Sequence, residues 1–161
     1  MSKRKRPQSP STAIPAIGEG KRGEAGYLGY LLRQAAHAQR KRMDRILAPL
    51  GLTHPQFLVL TMIRAYPGCS NADIGRLTML TPQTVHAIIA VLLRKHWVAR
   101  QPHPLHGRVL TLALSATGES LLERARDAAL AVDARLQKAL SAEALAALRH
   151  WLVSVAHDEE E

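Results

Sequence analysis

Residues 81–95 read Thr81-Pro82-Gln83-Thr84-Val85-His86-Ala87-Ile88-Ile89-Ala90-Val91-Leu92-Leu93-Arg94-Lys95, and this stretch decides the fold. A threonine hydroxyl accepts from the free N–H groups of a helix start, and proline at the first helical position gives up an N–H that would be unpaired anyway. Thr81-Pro82 therefore marks a helix N-terminus. Val85, Ile88, Ile89, Leu92 and Leu93 recur at threes and fours and share one side of that helix. The other side offers Thr81, Gln83, Thr84 and His86 near its start, with Arg94 and Lys95 at its far end. A helix that enters the major groove of DNA needs this division, because Gln pairs with adenine edges and Thr offers a hydroxyl or a methyl. An ordinary amphipathic helix has the same two faces, so the segment that follows decides between the readings.

After His96 the period shortens. Trp97 to Pro102 and Arg108 to Leu114 read as strands joined by His103-Pro104-Leu105-His106-Gly107, a turn-forming sequence. A hairpin behind a groove-reading helix is a wing. Arg108 at its tip is the candidate for a narrow minor groove, and Arg100 on the first strand for the adjoining backbone.

Working outward, Ser70 caps a short helix from Asn71 to Thr78, with Ile74 and Leu77 inward and Arg76 outside. Thr53 caps the helix before it, whose buried face is Phe57, Leu58, Leu60 and Ile63. A longer helix begins at Tyr27, carries an apolar stripe to Leu50 and stops at Gly51. Downstream, a helix from Thr117 bears Leu121, Leu122, Ala125, Ala128, Val132, Leu136 and Leu140, and Ser141 caps a last one with Leu145, Leu148, Leu152 and Val155. The expected fold is mostly α (α+β), a winged helix-turn-helix over residues 52–116 flanked by a helical dimerisation region over 26–51 and 117–157. The apolar stripes of the flanking helices exceed what a thin winged domain covers, which implies a homodimer.

Composition agrees. With 47% hydrophobic residues but only 4% aromatic, the chain suits helices packed on helices. Twenty-two Lys and Arg against 13 Asp and Glu give a formal charge of +9, which attracts a polyanion. Residues 1–25 are rich in Pro, Gly, Ser and basic side chains and read as a disordered basic tail. The longest apolar run, Ala87 to Leu93, is far too short to span a bilayer, and the N-terminus has no apolar signal segment, so the expected location is the cytoplasm and no membrane is implied.

Several stretches together resemble the multiple antibiotic resistance regulator (MarR) family: Leu52-Thr53, Thr81-Pro82-Gln83-Thr84-Val85, Trp97-Val98-Ala99-Arg100, Arg108, and Leu114-Ser115-Ala116-Thr117-Gly118. The resemblance runs from about Gly26 to Val155. It implies a triangular dimer and a sequence-specific, ligand-responsive repressor acting on palindromic double-stranded DNA, with a small aromatic acid as effector. Tyr30, Arg33 and His37, spaced by three and four on the first helix, would offer such an acid stacking, charge and a hydrogen bond. The chain departs from the family pattern at His86-Ala87, where Thr-Arg is common, at His106, where Asp is common, and at His96, where Gly ends the recognition helix. His96 must take a left-handed conformation or end the helix differently.

Other chemistry is weakly signalled. His103 and His106 are three apart but have no Cys pair or carboxylate motif nearby, and no catalytic motif or cofactor loop occurs, so neither an enzyme nor a cofactor is expected. Cys69, the single cysteine, precedes a helix start that would lower its pKa, yet the resemblance puts oxidant-sensing cysteines near the first helix. The alternative class is a basic helical module that meets an acidic partner or an anionic surface.

Overall fold

The structure is a computed structural model and describes residues 14–102 and 110–157. Six helices and one hairpin follow the expected order: α1 (Leu28–Leu47), α2 (His54–Ala65), α3 (Asn71–Thr78), α4 (Pro82–Arg94), β1 (Val98–Pro102), β2 (Leu110–Leu114), α5 (Ala116–Gln137) and α6 (Ala142–His157). Contacts divide the chain into two units, Met1–Gln39 and Arg40–Glu161. Among the described residues no single helix is long and apolar enough to cross a membrane.

In the first unit, residues 14–25 lead into α1. A 3-10 turn, Gly20–Arg22, forms there, and the Arg22 Nη1 donates to the Pro15 carbonyl at 2.8 Å. Arg22 O in turn accepts from Gln34 Nε2 at 3.1 Å, which anchors the turn to α1. The basic residues at positions 3–6 lie outside the described residues.

The second unit holds the core. Each helix start is fixed by a side chain: Thr53 exchanges hydrogen bonds with Gln56 at α2, Ser70 with Asp73 at α3, and Thr81, Ser115 and Ser141 cap α4, α5 and α6. Such caps are worth about 1 kcal/mol each. Leu60 of α2, Ile74 of α3, Val85 and Leu92 of α4, Val98 of β1 and Leu122 of α5 are buried in one cluster, so the wing and α5 share a core with the helix pair. Burial of each such side chain contributes about 1.5–3 kcal/mol.

The pattern is less regular than the sequence stripes. On α2, Leu60 and Ile63 are buried as expected, and Val59 is buried with them, whereas Phe57 and Leu58 are half-buried. Leu77, expected to face inward, is exposed; α3 ends one residue later at Thr78, and the cap residue Met79, with φ 55°, turns the chain toward α4. Leu136, Leu140, Leu148, Leu152 and Val155 are also exposed, and α6 buries no residue.

Candidate nucleic-acid interface

The surface built by α4 and the wing follows from the cap at Thr81. Its Oγ1 accepts from Thr84 N at 3.2 Å and lies 2.8 Å from Thr84 Oγ1, so these two hydroxyls hold each other. With Val85, Ile88, Ile89 and Leu92 buried, a rotation of about 100° per residue puts Gln83, Ala87, Ala90 and Arg94 on one outward ridge. All four are exposed, with His86 and Thr84 on either flank. Among the described residues Gln83 makes no side-chain hydrogen bond, which leaves its amide free to pair with a base edge. The ridge is one amide, two methyl-sized side chains and one guanidinium. Ala87 and Ala90 were not singled out from sequence, although the same helical period that named the buried face identifies them.

The basic residues differ in how free they are. Arg94 is exposed and makes no ion pair among the described residues. Arg76 is exposed but paired with Asp73. The Asp73 carboxyl is held down to about 2, first by the Ser70 hydroxyl, then by the Ser70 backbone N–H and Arg76, so this partner stays charged. Lys95 is tethered: its Nζ donates to Gly51 O at 3.2 Å and sits 4.2 Å from the Trp97 ring centroid. Arg100 stands on β1 opposite Leu112 and lines a small hollow with Asn71, Ile89, Leu110 and Leu112. Arg108, His103 and His106 lie outside the described residues.

The wing is joined to α4 and α5 by a compact set of bonds. His96 takes φ 57°, the left-handed turn required where glycine is missing. Its carbonyl accepts from Ser115 Oγ at 2.7 Å and Thr117 Oγ1 at 3.1 Å. Ser115 N donates to Trp97 O at 3.1 Å, and Ser115 Oγ also accepts from Gly118 N at 3.0 Å. β1 and β2 then pair antiparallel from Val98 with Leu114 to Pro102 with Leu110. A bend at His96 thus sets the angle between α4 and the wing.

The remaining candidates are less converged. Tyr30, Arg33 and His37 are exposed on α1. Tyr30 lines an apolar hollow with Pro15, Lys21, Arg22 and Tyr27, which Arg33 and His37 do not join. At Cys69, burial, reinforced by the Asp73 charge, pushes the thiol up.

Comparison with known proteins agrees with this geometry. The MarR family model matches residues 50–109. The chain is 37% identical over 115 residues to the HTH-type transcriptional repressor Rv2887 of Mycobacterium tuberculosis, covering 71% of this chain and 83% of that protein. The structure of the Mycobacterium tuberculosis MarR family protein Rv2887 in complex with DNA superposes with a TM-score of 0.64 at 32% identity, over 81% of this chain and 98% of that one. Its complex with salicylic acid gives 0.66 at 33% identity, over 82% and 98%.

Proposed function

Since the chain belongs to the MarR family, we propose that it is a transcriptional repressor that binds a palindromic double-stranded DNA operator as a homodimer and responds to a small aromatic acid. The observation that carries this reading is the outward ridge Gln83-Ala87-Ala90-Arg94 beside a wing fixed at His96. Two small side chains let the helix axis approach the groove floor, Gln83 reads base edges with Thr81, Thr84 and His86 around it, and Arg94 meets a phosphate. Arg76, Arg100 and Lys95 border this surface as phosphate contacts, and Arg108 extends it into the minor groove. The exposed leucines of α5 and α6 supply the dimer face in the flanking helical region, 26–51 and 117–157, with 52–116 as the DNA-binding part. The role is binding rather than catalysis, and it is exercised in the cytoplasm.

Likeness to a protein solved with salicylic acid supports the effector class, and Tyr30, Arg33 and His37 are the residues on α1 assigned to it. A mobility shift on a palindromic fragment of the protein's own promoter tests the central reading: specific retardation over scrambled DNA is expected. Equal binding to both supports a basic interaction module instead.

A further inference from the structure

We propose that Arg64 is a positioning residue for operator recognition. Held by Glu119 and Glu123, it fixes the angle at which the DNA-binding part meets α5, and with it the half-site spacing that the dimer accepts. The inference rests on the dimeric docking proposed above and deepens it. Among the described residues three ion pairs occur, and the two that join different elements are both made by Arg64. Its Nη1 donates to Glu123 Oε1 and lies 3.9 Å from Glu119 Oε2. Glu119 and Glu123 are one turn apart on α5 and share a side of that helix. The pairing is favoured at both ends. Arg64 sits in the last turn of α2, where the carbonyl dipoles attract a cation, and Glu119 in the first turn of α5, where the N–H dipoles attract an anion. The Arg64 side chain is 26% exposed against 49% and 55% for its partners, so the guanidinium is the shielded member of the set.

The contact lies where packing stops. Leu60 and Leu122 join α2 to α5 in the core, but Arg64 and Glu119 border an open hollow of about 550 Å³ together with Ile63, Gly68, Thr111 and Leu112. A hollow offers no packing resistance to a tilt of α5, so on this side the ion pairs are the restraint. Because Val85 and Leu92 of α4 share the core with Leu60, a tilt of α2 on α5 carries the recognition helix with it. The 22 residues of α5 span about 33 Å, and a tilt of about 6° moves the far end by about 3.4 Å, one base-pair step. In a two-fold dimer that distance is read as half-site spacing. An ion pair this exposed adds little to stability, so its effect is expected in geometry rather than in melting.

Competition binding of the full chain to its palindromic promoter fragment, and to fragments with the half-sites one base pair closer or farther apart, tests the proposal. The unaltered chain is expected to lose about tenfold in affinity on either shifted fragment. In Arg64→Ala that penalty should fall below about threefold, with affinity for random DNA, salt slope and melting temperature nearly unchanged. Arg64→Lys should restore part of the penalty. The reversed set, Arg64→Glu with Glu119→Arg and Glu123→Arg, should restore most of it, since a ratio of affinities cancels the change in net charge. Glu123→Gln gives the same reading if Arg64→Ala folds poorly. An undiminished penalty in Arg64→Ala and Glu123→Gln would overturn the proposal. So would a uniform loss on every fragment and on random DNA with a shallower salt slope, the mark of a phosphate contact. An unaltered chain indifferent to spacing overturns the docking reading and this proposal together, whereas a preference that the variants keep overturns this proposal alone.

Discussion

Gly118, at the start of α5, lies against the backbone of Trp97: a Cβ at that position would stand 1.9 Å from the Trp97 carbonyl oxygen. Only a residue without a side chain lets α5 approach the root of the wing this closely. The same carbonyl accepts from Ser115 N, so displacement of Gly118 breaks the bond that holds β1 to the α5 cap. Gly118→Ala is expected to lower stability by about 2 kcal/mol, in the range for overpacking, and to weaken operator binding further by releasing the wing. Urea unfolding and operator titration of the same variant measure the two effects.

Lys95 and Arg94 are neighbours with different work. Lys95 ties the end of α4 to Gly51 and covers Trp97, so Lys95→Ala is expected to cost about 1 kcal/mol of stability. Arg94→Ala should leave stability within about 0.5 kcal/mol of the original, as surface substitutions do, yet make the salt dependence of DNA binding shallower. Thermal melts and binding at several salt concentrations separate the two.

Much of this was legible in the sequence. The caps at Thr53, Ser70 and Thr81 each depend on residues within three positions, and local chemistry names them; the hairpin shows in the change of period after His96, and the left-handed turn at His96 follows from the family resemblance. What was hidden depends on distant pairs: Lys95 with Gly51, and Gly118 with Trp97. The apolar stripes also overstated burial. Periodicity tells which side chains share a face but not what covers it, so Leu77 reads as inward although it is exposed.

The depressed Asp73 carboxyl sets a pH dependence. A carboxylate held at about 2 against an ordinary 3.8 stabilises the folded state fully above about pH 4, and that contribution is lost as pH falls toward 2. Asp73→Asn should therefore be less stable than the original chain at pH 6, with the difference shrinking below pH 4 and gone near pH 2. Paired melts across that range check it, and a gap constant with pH would contradict it.

The leucines left exposed on α6 give a prediction about assembly. Leu148→Asp combined with Leu152→Asp places two charges on the proposed dimer face and should yield monomers of 17.7 kDa at micromolar concentration, where the unaltered chain scatters as twice that mass. Light scattering decides this, and a stable folded monomer of the unaltered chain would remove the dimer from the account.

The most direct test of the account sets Gln83→Ala beside Arg94→Ala in competition binding on specific and random DNA at two salt concentrations. Loss of a base contact at Gln83 should cost about 1–3 kcal/mol on the operator and little on random DNA. Loss of a phosphate contact at Arg94 should weaken both and reduce the salt slope by about one unit per subunit. Equal losses on both kinds of DNA for both variants would contradict the docking of α4 in the major groove.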